Sequence, residues 1–125
     1  MLIYEEITKI IIECFYKVYN TLGYGFLEKV YENAMFYELT KNNLEVKQQF
    51  PISVYYEDVI IGEYFADLLV ENKIIIELKS TTELSSAYEA QLMNYLKATN
   101  INVGLLMNFG KEAKYRRFVN TKKYC

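Results

Sequence analysis

Two apolar runs separated by a short polar segment dominate the middle of the chain, in the stretch FADLLVENKIIIELKS at residues 65–80. Both runs are short and rich in Ile, Leu and Val, so they predict two strands joined by a tight turn. Three charges lie in this stretch, because Asp67 precedes the first run while Glu77 and Lys79 close the second. Charges in apolar surroundings are costly unless they are paired or bind a metal. The hairpin therefore constrains the fold and also indicates where chemistry is to be expected.

Length and composition limit the class of protein. With 125 residues, 52% of them apolar and 24% charged, the chain predicts one globular domain over residues 1–125. The apolar runs are too short to cross a membrane and the first residues do not resemble a secretory signal, so we expect a cytoplasmic protein without a membrane partner. The absence of histidine and the presence of only Cys14 and Cys125 argue against zinc and iron–sulfur sites. Catalysis is expected to depend on carboxylates, lysine, tyrosine or a hard metal ion.

The net charge of −2 is unevenly distributed along the chain. Residues 111–125 carry +5, which leaves −7 on the remainder. The cations of this segment are Lys111, Lys114, Arg116, Arg117, Lys122 and Lys123. The asymmetry is compatible with a basic rim that contacts phosphate, although charge alone favours a solvated basic tail. Arg116 and Arg117 are the stronger phosphate candidates because guanidinium groups pair with phosphate oxygens in a bidentate manner.

Hydrophobic periodicity predicts three helices and five strands in the order α-α-β-β-β-α-β-β. The predicted helices cover residues 4–22, 26–41 and 86–98. The predicted strands cover residues 46–56, 62–70, 73–79, 103–108 and 115–119, with residues 59–61 either extending the second strand or lying in a return. The continuous apolar run at 103–108 is typical of a buried parallel strand. This order predicts an α/β sandwich built on a mixed sheet.

Local signals predict how several elements begin, end and pack. Gly23 is well placed to cap the first helix, and Ser86 with Glu89 has the spacing of a capping box for the third. Pro51 predicts that the first strand lies at an edge of the sheet or carries a bulge. The second helix is expected to bury Leu27, Val30, Tyr31 and Ala34.

Register decides whether the three charges of the hairpin can act together. Side chains alternate along a strand, so Glu77 and Lys79 project from one face. Asp67 faces Glu77 if a bulge or a three-residue connection centred on Asn72 joins the strands. A two-residue turn would put Asp67 opposite Ile76, on the other face. Two carboxylates on one face would suit Mg²⁺ or Mn²⁺, whereas a structural acid–lysine pair at a strand end is the alternative that this spacing leaves open.

The order of elements and the Asp67…Glu77-x-Lys79 spacing resemble the PD-(D/E)XK nuclease superfamily. The resemblance implies an α/β fold with a restriction-endonuclease-like α-β-β-β-α-β core, in which helices flank a central mixed β-sheet. It places Asp67 and Glu77 at metal-binding positions, with the backbone carbonyl of Leu78 as a further ligand, and Lys79 at the catalytic lysine position.

The helix after the hairpin extends this resemblance to one branch of the superfamily. Its segment EAQLMNYL contains Gln91 and Tyr95, which match the Q-x-x-x-Y pattern of the RecB-like exonucleases. Their i, i+4 spacing puts both side chains on one face of a helix. The resemblance implies that they arrange the site and the DNA strand beside it.

A closer resemblance covers nearly the whole chain. GFLEKVY at residues 25–31, followed by ADLLV, IIELK, EAQLMNYL and LLMNFG, is similar to the small GxxExxY proteins, which are grouped with the same superfamily. Glu28 corresponds to a first-helix glutamate that completes the metal site in some superfamily members. The chain has Tyr19 and Tyr24 where many GxxExxY proteins have histidine and proline.

These resemblances imply a Mg²⁺- or Mn²⁺-dependent nuclease that hydrolyses DNA phosphodiester bonds, in DNA repair, recombination or defence. They leave two alternatives, a nucleic-acid-binding or regulatory module without effective catalysis and a Holliday-junction-resolvase-like dimer. DNA would contact the C-terminal cations Lys111, Lys114, Arg116 and Arg117. The small core implies a homodimer or a larger protein partner. Of the 13 tyrosines, Tyr24 is the one assigned to base stacking.

Overall fold

The three helices and five strands follow one another in the predicted order in the computed structural model, which describes residues 4–120. The helices are α1 (Glu5–Leu22), α2 (Glu28–Lys41) and α3 (Ser86–Ala98). The strands are β1 (Val46–Tyr56), β2 (Val59–Val70), β3 (Ile74–Lys79), β4 (Val103–Phe109) and β5 (Ala113–Val119). Within residues 4–120, no helix is both long and apolar enough to cross a membrane. Three residues assigned above, Lys122, Lys123 and Cys125, lie outside the described range.

The five strands form one sheet in the order β1-β2-β3-β4-β5. Neighbouring strands are antiparallel except β3 and β4, which are parallel and are connected through α3. A parallel pair needs such a crossover, since the chain must return to the same end of the sheet. Pro51 lies in β1 at the edge of the sheet, as its missing N–H requires. The mixed sheet with flanking helices confirms the predicted α/β fold class.

Alternating side chains of the central strands supply two apolar cores. On one face, α1 and α2 pack against a cluster that includes Phe15, Met35, Ile74, Ile76 and Leu105. On the other face, α3 packs against a cluster that includes Ile52, Leu69, Ile75, Leu92 and Leu106. Because β3 and β4 are covered on both sides, their sequences are nearly continuous apolar runs.

Two local predictions about the helices are wrong. Leu27 and Val30 are not buried as predicted, because α2 begins only at Glu28 and these side chains are 81% and 39% exposed. The capping box is not formed, because the N-cap of α3 is Ser85 and makes no side-chain cap hydrogen bond. Glu89 pairs instead with Arg116 of β5, a tertiary partner that the local sequence pattern does not reveal.

The loop between α1 and α2 is held by one buried tyrosine. Gly23 caps α1 with φ 69° and donates its N–H to the carbonyl of Tyr19. The Tyr31 hydroxyl donates to the Gly23 carbonyl at 2.7 Å and accepts from the Phe26 N–H at 3.2 Å. The Tyr31 ring stacks on Phe109 with centroids 4.1 Å apart. Tyr31 therefore fixes the loop that leads into Glu28, the first residue of α2.

Tyr31→Phe is expected to lower the free energy of unfolding by about 1 kcal/mol, because the loop loses both hydrogen bonds while the ring stack remains. Urea denaturation measures the change. Tyr37→Phe is the matched control, since Tyr37 lies on the same helix and is 65% exposed. Equal stabilities of the two variants would contradict a structural role for the Tyr31 hydroxyl.

Candidate functional site

The β2–β3 hairpin brings Asp67 and Glu77 to the same face of the sheet. The ladder pairs Leu68 with Ile76 and Val70 with Ile74, so the register continues to Asp67 opposite Glu77. The connection is the three-residue segment 71–73, in which Glu71 and Asn72 have φ of 55° and 56°. Of the two connections that the sequence left open, the hairpin has the three-residue one that lets Asp67 face Glu77, and not the two-residue turn.

The paired carboxylates meet where the β2–β3 ladder ends. Beyond Leu68 and Ile76 the strands make no further paired positions within the described residues. The Asp67 N–H donates to Glu77 Oε1 at 2.9 Å, and the Leu78 N–H donates to Asp67 Oδ2 at 2.7 Å. Each acid thus bonds a backbone N–H on the opposite strand, which fixes the separation of the two carboxylates.

Burial makes negative charge at this pair unfavourable. The Glu77 side chain is only 6% exposed, and loss of hydration followed by repulsion from Asp67 raises its pKa to about 8. Burial also raises the pKa of Asp67 above its ordinary value, although the Leu78 N–H acts in the opposite direction. The positive charge of Lys79 lowers the pKa of both carboxyls, so its side chain lies close to the pair. A cation that neutralised both acids would be favourable here.

Helix α2 adds two acids one turn apart beside the pair. Glu28 raises the pKa of both Asp67 and Glu77, and Glu32 raises that of Asp67. Glu32 is 3% exposed, and its carboxylate accepts hydrogen bonds from Lys29 and Gln48. Glu32 was not among the predicted site residues, although its i, i+4 spacing from Glu28 indicates that the two side chains share a helix face.

Gln49 of β1 is the second site residue that the sequence analysis missed. It lies between the ladder pairs Gln48–Leu68 and Phe50–Ala66, opposite Asp67, with a left-handed φ of 52°. Its Nε2 donates to Glu32 Oε1 at 2.7 Å and lies 3.5 Å from Asp67 Oδ1. Left-handed backbone is strained for glutamine, and strain of this kind often accompanies functional sites. A single left-handed residue within a strand cannot be read from an alternating sequence pattern, so no sequence signal pointed to Gln49.

The predicted pair on α3 lies beside the acids. Gln91 Nε2 donates to the Tyr95 hydroxyl at 3.0 Å. Burial and then the charges of Glu77 and Asp67 raise the pKa of Tyr95 to about 12. The structure therefore brings Tyr95 into the electrostatic neighbourhood of the acidic pair, with Gln91 bonded to it.

The segment after Lys79 is fastened to the end of β4. Asn108 is buried and exchanges hydrogen bonds of 3.0 Å with both the N–H and the carbonyl of Thr81. A Cβ at Gly110 would come within 2.5 Å of the Thr81 carbonyl oxygen, so this close approach requires glycine. The Tyr19 hydroxyl lies 2.8 Å from the Gly110 carbonyl and 2.6 Å from that of Lys111. Tyr19 thus holds the β4–β5 turn.

The predicted DNA-contacting cations divide between two faces. Lys111, Lys114 and Arg116 line a cavity of about 420 Å³ next to residues 82–84, just beyond Lys79. Arg116 pairs there with Glu89. Arg117 points to the opposite face of β5, because successive side chains alternate along a strand. Three of the four cations are therefore together.

The donor set fits a hard divalent cation with few protein ligands. Within residues 4–120, no three acidic or cysteine side chains cluster closely enough to hold a metal. The available ligands are the two carboxylates of Asp67 and Glu77, and the backbone of Leu78 lies beside them. Mg²⁺ commonly binds through one or two carboxylates and retains several waters.

Without metal, the free energy of unfolding is expected to fall as pH rises from about 4.5 to about 8, because folded Glu77 stays protonated where unfolded Glu77 ionises. Glu77→Gln removes this dependence. Its stability relative to wild type should therefore be greater near pH 9 than near pH 5, by more than about 1 kcal/mol. Urea denaturation in EDTA measures this difference, with exposed Asp58→Asn as a charge control. A constant difference would contradict the raised pKa.

Three comparisons place the chain among known proteins. No curated protein matches it at a significant level. The crystal structure of SSO0001 matches with a TM-score of 0.56 and 18% identity, over 74% of this chain and 50% of that one, which shows a shared fold. This chain therefore spans half the length of that protein. A family model of the PD-(D/E)XK nuclease superfamily matches residues 5–118. The chain belongs to the PD-(D/E)XK nuclease superfamily.

Proposed function

We propose that the chain is a metal-dependent nuclease that hydrolyses DNA phosphodiester bonds at Asp67, Glu77 and Lys79. The observation that carries this proposal is the pair of carboxylates meeting at the end of the β2–β3 ladder, with Lys79 close by. Membership of the superfamily supports nuclease chemistry on a nucleic acid, and its nucleases generally use divalent metals.

Mg²⁺ or Mn²⁺ is the proposed ion, because both prefer oxygen ligands. Asp67 and Glu77 would hold it with the Leu78 carbonyl, and Glu28 would contribute directly or through water. When bound, the ion would polarise a phosphate oxygen and lower the pKa of a water molecule. The carboxylates would be ionised in that state, since a cation removes the repulsion that raises the pKa of both groups.

Lys79 would orient the attacking water and offset negative charge that develops on the phosphate. Its Nζ lies 4.6 Å from the centre of the Tyr88 ring, so the ammonium group rests against an aromatic face. This contact limits the conformations of a long side chain and keeps its charge beside the acids. Precise placement of this kind lowers the entropic cost of reaction.

Gln91 and Tyr95 would order the acidic pair and the DNA strand beside it. The Tyr95 hydroxyl accepts from Gln91, and with a pKa of about 12 it keeps its own proton near neutral pH. That proton is then available to a phosphate oxygen or a carboxylate. These two residues support assignment to the RecB-like branch.

The GxxExxY motif has a structural explanation that supports membership of that family. Gly25 has φ 108°, which favours glycine. Tyr31 holds the loop through Gly23 and Phe26, and Glu28 then begins α2 beside the acidic pair. The motif thus combines two loop-forming residues with one residue of the proposed site.

The cavity lined by Lys111, Lys114 and Arg116 would receive the DNA backbone. Arg117, on the other face of β5, would contact DNA only if the strand passes around that edge. A homodimer or a larger partner is proposed because exposed apolar side chains, including Phe26 and Leu27, precede Glu28.

One observation favours an alternative, a nucleic-acid-binding or regulatory module without effective catalysis. Within the described part of the chain, no third acid completes a metal cluster with Asp67 and Glu77. Such a module would bind DNA and leave it intact. A junction-resolving dimer would instead cleave four-way junctions in preference to linear DNA.

The proposed function is tested with labelled linear, nicked and branched DNA in Mg²⁺, Mn²⁺ or EDTA. Wild type should cleave in metal and not in EDTA. Asp67→Asn and Lys79→Ala should each reduce the rate at least about 100-fold. Lys73→Ala is the matched control, because Lys73 lies at the other end of β3 and contacts the Tyr4 ring.

Two results would contradict the proposal. Wild type that binds these substrates and cleaves none of them would favour the binding module. Cleavage that survives Lys79→Ala undiminished would show that the activity does not come from this site.

A further inference from the structure

A cleft of about 950 Å³ separates α3 from the outer half of the β1–β2 hairpin, and tyrosines form much of its wall. Four of them contribute, Tyr55, Tyr64, Tyr88 and Tyr95. Tyr55 is 60% exposed and Tyr64 is 46% exposed, so neither ring is buried in the core. Exposed aromatic surface around a concave site indicates a ligand more often than a folding requirement.

Two tyrosines of the cleft also adjoin the proposed catalytic site. Tyr88 lines it and also carries the ammonium group of Lys79 over its ring. Tyr95 lines it through a ring that lies 5.8 Å from that of Tyr64, and the charges of Glu77 and Asp67 act on its hydroxyl. Tyr88 and Tyr95 therefore link the cleft to Lys79 and to the acidic pair.

The polar groups of the cleft suit a nucleic acid strand. Among the residues of the described range 4–120 that line it, Lys97 is the one that carries a charge, and this charge is positive. Gln91 and Asn94 add amide groups, which both donate and accept hydrogen bonds and so can contact base edges. An aromatic wall with amides and a cation is how proteins bind unpaired nucleotides, because every base offers a face for stacking.

We propose that this cleft binds the unstacked bases of single-stranded DNA and presents the adjoining phosphodiester to the acidic pair. This inference rests on the proposed function and adds its substrate class, a single strand or a frayed end rather than an intact duplex. Bases of a duplex are stacked on each other and cannot reach Tyr55 or Tyr64 without being extruded. Base stacking is therefore assigned to Tyr55 and Tyr64, and not to Tyr24, which lies in the α1–α2 loop.

The inference is tested by binding in EDTA, where cleavage cannot contribute. Fluorescence anisotropy follows a labelled oligothymidylate of about 12 nucleotides. Tyr55→Ala and Tyr64→Ala should each weaken binding at least about fivefold, whereas Tyr55→Phe should retain it because the stacking ring remains. Tyr37→Ala is the matched control, since Tyr37 is a 65% exposed tyrosine on α2 that does not line the cleft. Wild type should bind the single strand more tightly than its duplex.

Unchanged affinity in both alanine variants would overturn the inference, as would a preference for duplex. A third result would also overturn the inference. If wild type is a dimer, and both alanine substitutions make the protein monomeric without weakening DNA binding, the cleft binds a second copy of the chain. Failure of the proposed function gives a different pattern, in which wild type binds the oligonucleotide through Tyr55 and Tyr64 but cleaves no substrate in metal.

Discussion

The site depends on one reciprocal interaction, in which Asp67 and Glu77 each accept a hydrogen bond from the backbone of the opposite strand. These two bonds stand where the β2–β3 ladder stops, so they replace regular strand pairing with paired carboxylates. Their low exposure makes negative charge costly and makes a cation the natural partner. A stable fold without a ligand gains little from a buried Glu77 beside a half-buried Asp67, and the persistence of this pair is best explained by function.

The rest of the molecule holds this interaction in place from three sides. Helix α3 supplies Tyr95 and Gln91, while α2 supplies Glu32, which is bonded to Gln49 behind Asp67. On the third side, Asn108 fastens the segment that follows Lys79. The tyrosine-lined cleft lies along α3, and Tyr88 and Tyr95 belong to its wall. The groups of the proposed site are thus carried by rigid elements and fixed by surrounding polar contacts, which is how sites keep their geometry.

Much of the fold followed from periodicity, because the apolar runs of β3 and β4 and the stripe of α1 each indicate one kind of element. The sequence predicted that Asp67 faces Glu77 only on the condition of a three-residue connection or a bulge. The positive φ values of Glu71 and Asn72 in that connection cannot be read from the strand pattern. Gln49 could not be predicted, because an alternating strand pattern does not show its left-handed φ, whereas the i, i+4 spacing of Glu32 from Glu28 on α2 is visible in the sequence. Strand alternation places the side chains of Arg116 and Arg117 on opposite faces of β5. That both of them contact DNA stays a prediction.

An ion held by Asp67 and Glu77 is tested most directly by calorimetric titration of the protein with Mn²⁺ near neutral pH. Wild type should bind the ion and release a proton, because the Glu77 carboxyl, with a pKa of about 8, must ionise on binding. The measured heat should therefore change with the ionisation enthalpy of the buffer, and Asp67→Asn should lose the binding. No metal-dependent heat in wild type, or equal heats in the two proteins, would contradict a metal site at this pair.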